Sequence, residues 1–397
     1  MGRIFTERPA EPDMKYCCRC LQPDTRPNTR FSDAGVCPAC DYVEAVKGVD
    51  WQERLDILAD LFAARKARRK PGQFHDCIIG VSGGKDSTRQ ALWVRDRFGV
   101  NPLLVCLSYP PEQATHRGMH NLSNLIELGF DVVVSAPAPA TWRDLKRDGF
   151  AQFTNSFRST ELALFSAVPQ IALRYGIDLI LWGENPALQL GDLMTLGKTG
   201  YDGNNLRHMN TLSSGTQWMV EAGYTPQQLL PYQYPLGEDF VQAGLQIVYL
   251  GWFLGDWSLV NNAAYACADG LEIRTDGVQA TGDLYGVTAL DEDYTPINQM
   301  IKYYKFGFGR TTDYCNEEIR LGRMTRAQGA ALVAAHDHAC SPDYIQRYCE
   351  YLGISVQAFW DQVRAATNRR LFDILADGSI HRRFEVGVGL ATETTAA

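Results

Sequence analysis

Residues 77–98, CIIGVSGGKDSTRQALWVRDRF, constrain this chain more than any other stretch. Cys77, Ile78, Ile79, Gly80 and Val81 form a short apolar run that predicts a buried strand of a parallel sheet. The run passes straight into Ser82-Gly83-Gly84-Lys85-Asp86-Ser87, and a helical pattern follows with Leu92, Trp93 and Val94 among its apolar positions. Strand, glycine turn and helix N-terminus in that order make an anion site. Gly83 and Gly84 carry no Cβ to block a close approach, so several backbone N–H groups can converge on one ligand. The helix dipole adds partial positive charge, Lys85 adds a full one, and Ser82 and Ser87 supply hydroxyl donors. A Walker loop would need four residues between its first glycine and a Gly-Lys-Ser/Thr, which this stretch lacks. The bland alternative is an ordinary glycine turn carrying a lysine.

A length of 397 residues exceeds a single core, so two or three units are expected. The net charge of −8 argues against a broad nucleic-acid surface. No apolar run approaches the roughly 20 residues of a membrane span, and the first 16 residues lack the apolar core of a signal peptide. Eleven cysteines in such a chain suggest thiols and metal ligands in a reducing cytoplasm rather than disulfides.

Four of those cysteines have metal-ligand spacing. Cys17-x-x-Cys20 and Cys37-x-x-Cys40 are two knuckles joined by a loop rich in proline and turn residues, which reads as a tetrahedral zinc ribbon. Four thiolates leave no open position, so the zinc is expected to be structural, with Cys18 a bystander. An iron–sulfur cluster and unliganded thiols are the rivals. Beyond the ribbon, positions 50–69 predict a helix whose basic end, Arg65 to Lys70, reads as a solvated terminus rather than a nucleic-acid patch.

Alternating patterns then predict strands at 101–107, 130–134 and 177–183, with helices at 121–129 and 159–175 between them. Strands alternating with helices imply right-handed crossovers and a doubly wound parallel sheet. Ligands in such sheets lie beyond the strand C-termini, where Ser82–Ser87, Leu107–Tyr109 and Gly183-Glu184-Asn185 all fall. Asp86 and Glu184 are the candidate carboxylates for Mg²⁺. Cys106, also at a strand end, reads as a buried structural cysteine.

Farther on, 195–210 is expected to be a functional loop or lid, with His208 a candidate substrate contact. The segment 242–257 reads as core. Lys302, Lys305 and Arg310 lie in IKYYKFGFGR and are candidate holders of a phosphate or sugar diphosphate, or else a surface helix end. His336-Asp337-His338 reads as surface, because rings two apart on a helix diverge. One or two helices are expected across 343–375 and a frayed tail after Leu390.

SGGKDS resembles the pyrophosphate-binding loop of the N-type ATP pyrophosphatases, which split ATP into AMP and pyrophosphate. The wider series is similar to the N-acetyl-sugar amidotransferase family of surface-polysaccharide and O-antigen biosynthesis. It comprises the four-cysteine ribbon, SGGKDS, WGEN at 182–185, YDGNNLRHMNTL at 201–212 and IKYYKFGFGRTTDYCNEEIRLGRMTR at 301–326. The likeness runs from about Met14 to about Leu375. It implies an α/β fold of the ATP pyrophosphatase kind, with an N-terminal zinc ribbon (1–48), a connecting helix (49–72), a nucleotide domain (73–260) and a mostly helical substrate or partner region (261–397).

The implied reaction turns a sugar acetamido group into an acetamidino group, with ATP and Mg²⁺ as cofactors. A separate glutaminase would supply ammonia to a nucleotide-linked sugar acceptor, and an oligomer is admitted. The resemblance carries Ser82, Gly83, Gly84, Lys85, Asp86 and Ser87 to pyrophosphate, with Gly183, Glu184 and Asn185 beside the ATP or acceptor amide. Two alternatives stay open: a sulfur-transfer enzyme for tRNA or a small molecule using the same adenylation, and a non-enzymatic nucleotide-binding scaffold.

Overall fold

In the computed structural model, which describes residues 14–191, 197 and 199–390, five parallel strands form the central sheet. They are β1 (Cys77–Val81), β2 (Pro102–Leu107), β3 (Val132–Ser135), β4 (Leu179–Trp182) and β5 (Gln246–Tyr249), in the order β3-β2-β1-β4-β5. Alternation along the strands divides their side chains between two cores. Ile78, Leu103, Val105, Ile180 and Ile247 enter one, while Cys77, Ile79, Leu104, Leu181 and Val248 enter the other.

Helices cover both faces. The second core is closed by α2 (Trp51–Ala67), α3 (Lys85–Phe98) and α4 (His116–Glu127), through Leu58, Phe62, Ala91, Leu92, Leu122 and Leu125. The first is closed by α5 (Pro139–Phe153) and α6 (Arg158–Tyr175), through Trp142, Leu145, Leu162 and Ala163. The doubly wound parallel architecture expected from the sequence is therefore the one observed. β1 and β4 lie side by side where the strand order reverses, and the crevice beyond their C-terminal ends is where this architecture binds ligands.

Several elements differ from the sequence reading. Helix α4 begins at His116 rather than near 121, because the Thr115 hydroxyl caps it by accepting from Gly118 N at 3.0 Å. The segment 242–257 is core, but it also contains β5, whose four residues are too few to show a period. Helix α5 was not anticipated. At the basic end of α2, Arg65 pairs with Asp178, Arg69 pairs with Asp76, and Lys66 donates to Phe98 O and Gly99 O at 3.2 and 2.8 Å. These contacts fasten the helix to the sheet, while Lys66, Arg68, Arg69 and Lys70 remain exposed, as a solvated terminus would be.

Of the expected loop at 195–210, positions 195, 196 and 198 lie outside the described residues, as does the tail after Leu390. The remainder is tied down: Gly203 N donates to Ile247 O at 2.8 Å, and Asn204 Oδ1 accepts from Ile247 N at 2.8 Å. That anchoring to the outer strand is at odds with a lid at 203–206.

A short α7 (Gly237–Ala243) leads into β5, and beyond the sheet α8 (Leu259–Ala268), α9 (Thr295–Phe306), α10 (Arg310–Arg320), α11 (Arg326–His336), α12 (Pro342–Leu352) and α13 (Val356–Ala366) make the C-terminal region mainly helical. It ends in two small antiparallel hairpins, 372–382 and 384–390. Met14 and Leu21 share a core with Tyr303, Cys315, Phe372 and Phe384, so the cysteine module packs directly on this region. Asp337 is 2% exposed, which corrects its surface assignment. Its carboxylate accepts from Gly309 N, Thr312 N and the Thr312 hydroxyl at 2.7, 2.8 and 2.6 Å, satisfying the first turn of α10.

Candidate functional site

A cleft of about 240 Å³ opens at the C-terminal ends of β1 and β4. Ser82, Gly84, Lys85, Asp86 and Ser87 line one side, and Gly183 and Glu184 line the adjoining one. A further wall comes from Val287, Thr288, Ala289 and Leu290, far along the chain. Sequence reasoning gave no reason to look there. Ala289 holds φ at +49°, a left-handed conformation that costs a side-chain-bearing residue about 1–3 kcal/mol. Arg274, 5% exposed, supports it by donating to Ala289 O at 2.9 Å.

Gly83 has φ +70°, and a Cβ there would lie 2.9 Å from Asn121 Cβ and 3.1 Å from Leu122 N. Its glycine character lets the loop turn and lets α4 approach. Gly84 begins α3 in extended backbone, so the two glycines serve different purposes. Lys85 is 7% exposed and donates to Asp86 Oδ2 at 2.8 Å. Gln90, one turn along α3, fastens the neighbouring strand end. With its amide assigned so that nitrogen donates to Leu181 O, its oxygen accepts from Gly183 N, both at 3.2 Å.

Glu184 projects into the cleft and stays open to solvent there, while surrounding protein and then the nearby Asp86 charge push its carboxyl up to about 7. A divalent cation relieves this kind of like-charge strain. Asp86 and Glu184 both line the cleft and both offer the carboxylate oxygens that Mg²⁺ takes. Asn185 is committed elsewhere: its amide nitrogen donates to Gly251 O and Tyr42 Oη at 3.2 and 3.3 Å, and its oxygen caps Leu188 N at 3.2 Å. It joins the strand end to α1 (Pro38–Ala45) of the cysteine module and does not line the cleft.

Nor do the other candidates reach the cleft. Lys302 donates to Asp313 Oδ2 at 2.8 Å, and Arg26 of the cysteine module pairs with the same carboxylate. Lys305 donates to Phe153 O at 3.0 Å, Arg310 starts α10, and His208 is exposed. Cys106 is 6% exposed, and burial pushes its thiol up to about 12.

Cys17, Cys20, Cys37 and Cys40 converge, their sulfurs all within 4.8 Å of one another. Cys17 and Cys40 sulfurs are 3.8 Å apart, those of Cys20 and Cys37 3.6 Å. A zinc tetrahedron with bonds of about 2.3 Å has edges of about 3.8 Å, so the donor set fits one such ion. An iron–sulfur cluster would interpose its own irons and sulfides and spread the cysteines wider. Cys18 is exposed and outside the set.

Arg320 of α10 sets one guanidinium nitrogen 3.7 and 3.8 Å from the Cys20 and Cys37 sulfurs. Another donates to Leu188 O and Gln189 O at 3.2 Å each, in the segment that follows Glu184. Four thiolates around one divalent ion carry excess negative charge, which this cation offsets. Arg320→Met is therefore expected to weaken zinc retention by about 10–100-fold, as read by competition with a chelator.

Helix α10 thus meets the cysteine module, the cleft wall and the helix packed on α3. Tyr314 bonds Thr288, Asn316 accepts from Leu21 N at 2.7 Å, and Glu317 accepts from Leu259 N at 2.5 Å. It lies within residues 285–376, which match the family model described as "LPS biosynthesis protein WbpG-like, C-terminal domain". The segment is similar to that C-terminal domain over about a quarter of the chain. The surface-polysaccharide resemblance drawn from the sequence is borne out at this level.

No curated protein matches the chain. Among solved structures, NMN synthetase from Francisella tularensis is similar at 15% identity and a TM-score of 0.28, over 58% of this chain and 99% of that one. NH3-dependent NAD synthetase from Campylobacter jejuni is similar at 13% identity and 0.27, over 58% and 100%. U34-tRNA thiolase NcsA from Methanococcus maripaludis gives 11% and 0.27, over 76% and 88%. Likenesses this low carry no functional argument. What matters is that the segment matching the family model lines the same cleft as SGGKDS.

Proposed function

We infer that this chain is an ATP-dependent amidotransferase that adenylates the acetamido oxygen of an N-acetyl sugar, releasing pyrophosphate, and lets ammonia displace AMP. The product is an acetamidino sugar. One observation carries the reading: a glycine–lysine anion loop at the sheet's switch point shares its cleft with residues 287–290 of the segment that matches a lipopolysaccharide-biosynthesis family model. An amide oxygen is a poor leaving group, so it must become a phosphate ester before nitrogen can replace it. The loop N–H groups, Ser82, Ser87 and Lys85 hold the departing pyrophosphate, and Gly183, where a Cβ would lie 2.7 Å from the Gln90 amide, lets Gln90 pack against the strand end beside it. Mg²⁺, held by Asp86 and Glu184, would neutralise phosphate charge. No covalent nucleophile is needed, and the raised thiol of Cys106 weighs against sulfur transfer.

The zinc ribbon (1–48), connecting helix (49–72), nucleotide domain (73–260) and C-terminal region (261–397) form the proposed working units. The setting is cytoplasmic, with a glutaminase partner for ammonia; no described helix is long and apolar enough to cross a membrane. The test combines protein, Mg-ATP, ammonium salt and a panel of UDP- and CMP-linked N-acetyl sugars. Mass spectrometry should find one sugar in which an oxygen has become NH, with AMP formed in equal amount. ATP turnover to ADP, or no AMP with any acceptor, contradicts the reading.

Glu184 adds a pH dependence. A proton competes with the cation for a carboxylate that titrates near 7, so the apparent Mg²⁺ requirement should rise as pH falls below about 7. Because the folded value lies above the ordinary carboxylate range, the nucleotide-free fold should lose stability as pH rises through that window. Added Mg²⁺ should reduce that loss. Activity titrations with Mg²⁺ at several pH values, together with thermal melts, check both signs.

A further inference from the structure

Asn262, on α8, is 1% exposed and uses both ends of its amide. Its nitrogen donates to Asp86 Oδ1 at 2.6 Å, and its oxygen accepts from Arg89 Nη1 at 2.6 Å. Arg89 is 3% exposed and is fixed in turn by a two-pronged pair with Asp256 at 2.7 and 2.8 Å. A chain of contacts therefore runs Asp256–Arg89–Asn262–Asp86–Lys85 and ends on the loop lysine. The start of α8 is pinned from the WbpG-like segment, where Glu317 accepts from Leu259 N, close enough to Lys85 and Asp86 to feel both charges.

Lys85 and Asp86 satisfy each other at rest, 2.8 Å apart. To grip a phosphate the lysine must leave, and its departure strips the carboxylate of a partner. A charged group left without a partner is expensive in partly buried surroundings. The Asn262 N–H stays on Asp86 throughout, which lowers the cost of that separation. We propose that Asn262 is a positioning residue: it holds one oxygen of Asp86 so that Lys85 can part from the other and take the phosphates of ATP. This deepens the ATP reading of the cleft and rests on it.

The test uses the full chain with Asn262→Ala and Asn262→Asp, the latter of equal size and still an acceptor for Arg89. Calorimetry measures binding of Mg-ATP, Mg-pyrophosphate and AMP, with thermal melts as the folding check. Both variants should bind ATP and pyrophosphate about tenfold or more weakly, as expected for a lost hydrogen bond to a charged group, and AMP within twofold of the unaltered protein. A general loosening of the fold would weaken AMP in step, and that result overturns the proposal. So do ATP affinities within twofold of normal in either folded variant. Failure of the unaltered protein to bind ATP or pyrophosphate removes the underlying reading instead, which keeps the two failures apart.

Discussion

Lys85→Ala should lower AMP formation by roughly a hundred- to a thousandfold or more, with little change in melting temperature. Removing one preorganised donor from a developing charge typically costs a hundred- to a thousandfold in kcat, and Lys85 brings a full charge rather than a dipole. The fold should tolerate the change because, among the described residues, the lysine amine donates to Asp86 alone, and Asp86 keeps Asn262 as a second partner. A quenched-flow or endpoint assay of AMP from labelled ATP reads the effect. Turnover within about tenfold of normal contradicts the phosphate role of the loop.

The second large effect concerns the thiolates. Stripping the metal with a chelator, or changing Cys37 to Ser, should unfold the N-terminal module, because structural zinc in small modules is worth about 10–16 kcal/mol of apparent binding energy. The damage should spread. Arg320 links Cys20 and Cys37 to the carbonyls of Leu188 and Gln189, and Tyr42 meets Asn185, so the segment behind Glu184 loses two supports. Hydrogen exchange should rise first in 17–45 and next in 183–190, ahead of β1 and β2. Metal analysis finding iron and sulfide, or a chelated protein with unchanged exchange in 17–45, contradicts this.

Local signals were legible in the sequence. The apolar run ending in SGGKDS and the two cysteine knuckles each depend on residues a few positions apart, and both came out in place. So did β1, β2 and β4, whose continuous apolar character reports burial on both faces. What the sequence did not reveal is non-local. Asn262 reaches Asp86 of the loop across 176 positions, Arg89 reaches Asp256 across 167 and Glu317 reaches Leu259 across 58, and no spacing rule reaches so far.

The Val287–Leu290 wall has no motif, since its left-handed alanine is held by Arg274 rather than by a glycine. Lys302 looked like an anion holder because its partner carboxylate, Asp313, sits eleven residues away on the next helix, and Arg26 arrives from the other end of the chain. Asn185 looked like a ligand contact because it follows a strand end. In the fold it is a cap and a joint. Both cases show that a residue's type fixes its chemistry, whereas its neighbours decide whether that chemistry is still available.

The most direct measurement follows one oxygen atom. With an acceptor whose acetamido oxygen is ¹⁸O, plus Mg-ATP and ammonium, adenylation followed by displacement must carry the label into the phosphate of AMP. Mass spectrometry should find ¹⁸O in AMP and none in pyrophosphate. Unlabelled AMP, or label appearing in inorganic phosphate beside ADP, would contradict the account.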